Sequence, residues 1–217
     1  MKKYIAELIG TFALVFFGTG AIIVNDITNN SFGLTGIAIA FGLVVTAMIY
    51  TLGFISGAHI NPAVTIAFFV RKDIDLKESI FYILFQILGA IFASSTLRIL
   101  FVSHKTLGMT LPSGTVLQSF LMEFIATFFL MLVILGITQL GTIQTKALAG
   151  IVIGATVTAM IFTAGPISGG AFNPARSIGP AIVVGNLEHL WLYIISPILG
   201  TLAAVFLWNY LVDKTLY

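Results

Sequence analysis

The tripeptide Asn-Pro-Ala occurs twice, as Asn61-Pro62-Ala63 and Asn173-Pro174-Ala175, and each copy opens a short apolar stretch. Asn-Pro is helix punctuation. Asn is a favoured N-cap, and Pro suits the first helical position, where its missing N–H has no intrahelical partner to lose. Behind Asn61 the apolar run reaches Val70 and is closed by Arg71-Lys72; the second run goes from Asn173 to about Val183. A helix of about nine residues covers roughly 13 Å, under half of a hydrocarbon core of about 30 Å. The two tripeptides therefore predict half-helices that enter a membrane from one face and stop near its middle.

Composition supplies the membrane. Of 217 residues, 59% are hydrophobic and 8% charged, with a mean hydropathy of +1.09, whereas soluble domains carry about 25% charged residues. Lys2-Lys3 before an apolar run resembles a secretory leader. That run contains Glu7, continues to about Val24 and lacks a small-residue cleavage site, so a retained first span is expected. A formal net charge of +2 gives no reason to expect nucleic acid as a partner. With no cysteine there are no disulfides and no thiolate metal sites, and no cofactor or metal is expected.

Six apolar segments approach the roughly 20 residues of a spanning helix: about 4–25, 34–54, 79–101, 117–137, 147–165 and 190–211. Turn or charge signals separate them, among them Arg71 to Glu78 and Gly141 to Lys146. An even number puts both termini on one side. If that side is cytoplasmic, Lys2, Lys3, Arg71, Lys72, Lys77, Lys146 and Lys214 lie inside, while Arg98, Lys105 and Arg176 lie outside or in the outer vestibule. This asymmetry follows the positive-inside rule and puts both termini in the cytoplasm of a multi-pass protein of the cell (inner) membrane.

The chain repeats itself. Glu7-x-x-Gly-Thr-Phe returns as Glu123-x-x-Ala-Thr-Phe, and Val45-Thr-Ala-Met-Ile49 as Val157-Thr-Ala-Met-Ile161. Ser56-Gly-Ala-His-Ile-Asn-Pro-Ala answers Ser168-Gly-Gly-Ala-Phe-Asn-Pro-Ala, and Ile87-Leu-Gly89 answers Ile198-Leu-Gly200. One domain of two repeats, about 1–104 and 114–217, is expected, each with three spans and a half-helix. Three is odd, so the second repeat is inverted relative to the first.

The two Asn-Pro-Ala loops and the Glu7-x-x-Gly-Thr-Phe segment resemble the signatures of the aquaporin, or major intrinsic protein, family, and the resemblance covers essentially the whole chain. It implies an all-α membrane protein: a right-handed bundle of six transmembrane helices plus two re-entrant half-helices, with one pore per subunit of a homotetramer. Two helix N-termini facing each other each present roughly half a positive charge, which opposes cations, hydronium included. Each Asn cap leaves its amide NH2 as a donor aimed into the gap, able to hold a passing water by its oxygen. The alternative is that Asn-Pro merely caps two re-entrant helices.

Family resemblance implies that Arg176 donates to solute at the narrowest point; a snorkelling Arg is the alternative, and it is the preferred account of Arg98. Glu7 and Glu123 read as a symmetric structural pair accepting from loop backbone N–H groups, with a proton relay as the alternative. His59 is expected to line the inner pore through its carbonyl while its ring braces the loop. His104 and His189 read as ordinary surface residues. Close packing is assigned to Gly89-x-x-x-Ala93, Gly150-x-x-x-Gly154 and Ser196-x-x-x-Gly200, with a dimerisation face as the alternative for the second.

Carried over by distance from the two Asn residues, the family's outer constriction falls on Phe41, Ile161, Gly170 and Arg176. Strict water channels of the family usually have His at the position of Ile161, and Gly170 adds no side chain, so the ring is wider and half apolar. Phe41 argues for water selectivity. Ser177 and Tyr193-Ile194 depart from the glycerol-conducting pattern of Asp after the Arg and a Pro-Leu pair. The nearest resemblance is to nodulin-like intrinsic proteins of plants and related prokaryotic members, associated with glycerol and with boric and arsenous acid. A passive channel for water and small uncharged solutes is expected, with a strict water channel as the alternative. A secondary transporter would need coupling sites beyond the structural carboxylates, and a structural membrane protein would need no open pore. An enzyme is not expected, because nothing here activates a nucleophile. Replacing Ile161 with His should lower the ratio of glycerol to water permeability in proteoliposomes; an unchanged ratio would sink the constriction argument.

Overall fold

A computed structural model describes residues 1–140 and 142–212, so Gly141 and Lys214 of the sequence reading lie outside the described residues. The helices in chain order are α1 (Lys2–Ile27), α2 (Gly33–Ser56), α3 (Pro62–Val70), α4 (Leu76–Leu100), α5 (Val116–Leu135), α6 (Ile143–Lys146), α7 (Ala149–Ser168), α8 (Pro174–Val184) and α9 (Leu190–Leu211). A π-helical turn, Gly136–Leu140, prolongs α5. Six of these, α1, α2, α4, α5, α7 and α9, are long and apolar enough to cross a membrane. The sequence reading stopped the fifth span at 165; the helix carries Pro166 and ends at Ser168. Gly169, at φ 84°, terminates it in the left-handed conformation, as Gly57, at φ 86°, terminates α2.

α1 packs on α2 and α4, and α5 packs on α7 and α9 in the same pattern. The halves join through α2 against α7, and each half-helix also touches the last span of the opposite half: α3 lies on α9, and α8 on α4. Close approach is bought with missing Cβ atoms. A Cβ on Gly200 would lie 2.5 Å from the carbonyl oxygen of Phe124, and one on Gly89 would strike the carbonyl oxygen of Leu8. Gly42 and Gly154 face each other reciprocally: a Cβ on the first would sit 2.7 Å from the carbonyl oxygen of the second, and the converse distance is 2.5 Å. Gly150 lies against the Tyr50 ring, so this small-residue face serves packing within the chain.

Burial is inside out. Glu7, Gln86 and Glu123 are fully buried, while Phe54 is 98% exposed and Ile99 75% exposed. This distribution suits a hydrocarbon solvent, where polar groups must find partners inside the bundle. Lys3 pairs with Glu78 at 2.7 Å, Tyr50 donates to the carbonyl of Ala147 at 3.0 Å, and Arg71 reaches Asn209 at 3.4 Å. These contacts gather the predicted basic face at one end of the bundle. At the other end, Arg98 is not a simple snorkelling residue: Nη1 donates to the carbonyls of His104 at 2.7 Å and Val102 at 3.4 Å.

Gly200→Ala should destabilise the bundle by about 1–3 kcal/mol, because its Cβ meets backbone that cannot rotate away. Gly53→Ala, whose nearest neighbour would be 4.0 Å off, should be neutral or stabilising. Unfolding in mixed micelles would compare the two.

Candidate permeation site

Each half-helix begins as its Asn-Pro sequence dictates. Asn61 Oδ1 accepts from Ala63 N at 2.9 Å, and Asn173 Oδ1 accepts from Ala175 N at 3.0 Å, with Pro62 and Pro174 at the first helical positions. The sequence aims each amide NH2 into the gap as a donor, and the structure gives one N–H of each a partner there: Asn61 Nδ2 donates to the carbonyl of Phe172 at 2.8 Å, and Asn173 Nδ2 to the carbonyl of Ile60 at 2.7 Å. One N–H of each amide thus ties the two loops together, and one remains.

The loops ahead of the caps are strained in the same way. Ala58, Ile60 and Phe172 take positive φ of 48°, 43° and 51°, and Gly170 takes 59°. A β-branched residue such as Ile60 is an outlier there. Two buried carboxylates hold this backbone in place. Glu7 Oε1 accepts from Ser56 Oγ at 2.7 Å and His59 N at 2.9 Å; Oε2 accepts from Ile60 N at 2.6 Å and Gln86 Nε2 at 2.7 Å. Glu123 Oε1 accepts from Ser168 Oγ at 2.6 Å and Ala171 N at 2.9 Å, and Oε2 from Phe172 N at 2.7 Å. Tyrosines complete the cradle: Tyr82 OH donates to the carbonyl of Ser56 at 2.8 Å, and Tyr193 OH to that of Ser168 at 2.7 Å.

Sequence reasoning missed Tyr82, Tyr193 and Gln86. The tyrosines stand in the register of Ile87-Leu-Gly89 and Ile198-Leu-Gly200, so the repeat held their signal. In that register Gln86 faces Pro197, and its role has no counterpart.

A cavity of about 600 Å³ runs from Lys146, Ala147 and Tyr50 past both Asn residues to Phe41, Ile161, Gly170 and Arg176. All four residues of the expected constriction therefore line one space, as does His59. The His59 ring stacks on Phe68 at 4.7 Å, meets Tyr82 edge-on at 5.2 Å and lies 3.1 Å from Thr65 Oγ1 through Nδ1. Arg176 is 1% exposed. Its guanidinium lies 5.3 Å from the centre of the Phe41 ring, and Nη1 donates to the carbonyl of Gly108 at 2.8 Å. Gly18 leaves the room that Phe41 fills, since a Cβ there would overlap the ring.

Gly108 is a site residue with no sequence signal, because the segment between α4 and α5 has no counterpart in the repeat. His104 in that segment is not an ordinary surface residue either. Nε2 lies 3.2 Å from Asp26 Oδ2, Nδ1 accepts from Leu107 N at 3.0 Å, and the side chain is 11% exposed. His189, 3.7 Å from Glu188, remains peripheral.

The family model for major intrinsic proteins matches residues 1–208. The chain belongs to the major intrinsic protein family. It is a membrane-spanning channel protein rather than an enzyme. It is 44% identical over 210 residues to nodulin-26 of Glycine max, covering 96% of this chain and 77% of that protein. It is 46% identical over 213 residues to a probable NIP-type aquaporin of Nicotiana alata, with the same coverages. Among solved structures it resembles the aquaglyceroporin of Plasmodium falciparum, with a TM-score of 0.86 and 28% identity over 95% of this chain and 94% of that one.

Glu123→Ala would leave the N–H groups of Ala171 and Phe172 buried without an acceptor, at about 1–3 kcal/mol each. Chemical unfolding in detergent should show a larger loss for Glu123→Ala than for Glu123→Gln, which keeps one accepting oxygen. Equal losses would mean that the carboxylate does not hold the loop.

Proposed function

We propose that this major intrinsic protein is a passive channel for water and small uncharged solutes, with glycerol and boric or arsenous acid as the solute class, and that ions and protons are excluded. The observation that carries this reading is the single cavity joining Lys146 to Arg176 past two opposed half-helix N-termini. The N-termini and Arg176 give the middle and outer part of the path a positive field that cations would have to cross without hydration. At the constriction, Arg176 supplies donors while Phe41 and Ile161 supply an apolar wall and Gly170 supplies no side chain. A small polyol or a neutral hydroxide can turn its hydroxyls to Arg176 and its apolar or edge surface to the wall. The Plasmodium falciparum structure is of an aquaglyceroporin, which agrees with this solute class.

A strict water channel is the second reading, favoured by Phe41 standing 5.3 Å from the guanidinium. In both readings Asn61, Pro62, Ala63, Asn173, Pro174 and Ala175 form the midpoint, with His59, Glu7 and Glu123 supporting the loops. The whole chain serves as one channel unit of two inverted repeats, about 1–104 and 114–217. The end that carries Lys3, Arg71 and Lys146 is the cytoplasmic one in a cell (inner) membrane, in keeping with the positive-inside rule, and the channels assemble as homotetramers.

Stopped-flow light scattering on proteoliposomes distinguishes the readings. With an impermeant osmolyte the vesicles should shrink faster than protein-free ones; with glycerol or boric acid they should then reswell faster. Fast shrinkage without accelerated reswelling would establish the strict water channel. No acceleration of either would overturn both readings.

A further inference from the structure

We propose that His104 is a positioning residue for Arg176, an acid-sensitive clasp that holds the guanidinium at the wall of the lumen rather than across it. The inference rests on the reading of Arg176 as part of the permeation constriction.

Among the described residues, the hydrogen bond that fixes the Arg176 side chain is the one from Nη1 to the carbonyl of Gly108, at 2.8 Å; its Nε is buried without a partner. The position of this long cation therefore depends on one carbonyl in an irregular segment. Gly108 takes φ 66° and Leu107 takes φ 49°, a conformation that L-residues with side chains rarely adopt. Two anchors hold Leu107 there. Its side chain is fully buried with Ile23 and Leu97, and its N–H donates to His104 Nδ1 at 3.0 Å. Beyond Gly108 the segment is pinned separately, by Thr110 against Ser177 at 2.8 Å and by Ser113 N donating to the carbonyl of Ile167 at 3.0 Å. Between these pins the turn is held by the buried Leu107 side chain, by Met109 N donating to the carbonyl of Thr106 at 3.0 Å, and by the His104 ring, the one anchor whose accepting ability depends on protonation.

An imidazole nitrogen accepts a hydrogen bond only when it carries no proton. Nδ1 accepts from Leu107, so the proton of the neutral ring sits on Nε2, which faces Asp26 Oδ2 at 3.2 Å. A second proton must then go to Nδ1, turning the acceptor into a donor pointed at another donor. Two charged groups lie against the ring or its backbone: Asp26, from the end of α1, 3.2 Å from Nε2, and Arg98, from the end of α4, 2.7 Å from the His104 carbonyl; the exposed Lys105 follows in the chain. Asp26 is half exposed, so protons from the bulk can reach the pair.

Once Nδ1 is protonated, the ring keeps Asp26 and loses Leu107. Gly108 then no longer presents its carbonyl to Arg176. The open space beside the released guanidinium is the cavity it lines with Phe41 and Ile161, so the side chain moves into the path. Larger solutes are obstructed more than water.

The test uses the full chain in proteoliposomes, with water and glycerol permeability measured from about pH 8 to about pH 5, the range in which imidazoles change charge. Glycerol permeability should fall several-fold on acidification, and water permeability less. His104→Asn keeps an oxygen able to accept from Leu107 N–H without titrating, so it should conduct with a flat profile. His104→Ala should conduct glycerol poorly at every pH. A conducting wild type with a flat profile would overturn the clasp and leave the channel reading standing, and so would an acid response retained in His104→Asn, which would assign the response to His59, His189 or Glu188. A wild type that conducts nothing at any pH would overturn the channel reading and the clasp with it.

Discussion

A backbone N–H at membrane depth that turns away from any water-filled path has no water to bond, so an interruption of a helix there needs an internal acceptor on its inner side. This chain interrupts its path twice, before α3 and before α8, and meets the need with one buried carboxylate each time. Glu7 takes the N–H groups of His59 and Ile60, and Glu123 takes those of Ala171 and Phe172. A carboxylate is suited to this because its two oxygens accept several bonds and it donates none when ionised. All four acceptances run to consecutive N–H groups, which fixes the loops in their left-handed turns. Those turns aim Asn61 and Asn173 at each other, and with them the two half-helices. Neither carboxylate is left with the free access that a proton relay would require.

The reciprocal contacts show where the two halves are obliged to match. Gly42 meets Gly154, Asn61 bonds the loop of Asn173, and Asn173 bonds the loop of Asn61. An antiparallel pair of repeats can join around a pseudo-twofold axis only if the surface that meets itself is self-complementary. Away from that axis the halves diverge. Val64 stands in the first half where Arg176 stands in the second, and Ala58 where Gly170 stands. Arg176 and Gly170 therefore stand on one side of the two Asn caps, while Lys146, Tyr50 and His59 line the cavity on the other. Gln86 adds a fourth bond to Glu7, and Pro197 in the matching place adds none to Glu123.

The segment between α4 and α5 adds a third layer. It belongs to neither repeat pattern, yet it supplies the carbonyl that holds Arg176 and the hydroxyl that meets Ser177. A buried cation needs a partner, and here that partner comes from a stretch with no helical period and no repeat register.

Much of the molecule was written in the sequence by itself. Hydrophobic run length set the six spans, Asn-Pro set the starts of α3 and α8, and the nearly constant offsets of the repeated motifs set the inverted repeat, because each of these depends on local spacing or on solvent alone. The matched glutamates were legible for the same reason, and the matched tyrosines, Tyr82 and Tyr193, lay in a register already recognised. Only the tertiary structure decided that the Asn amides spend a hydrogen bond on the opposite loop, that Gly18 makes room for Phe41, and that Gly108 and His104 stand behind Arg176. Those contacts join residues far apart in the chain: a backbone carbonyl leaves no mark in residue identity, and a glycine's identity does not say which side chain fills the space it leaves.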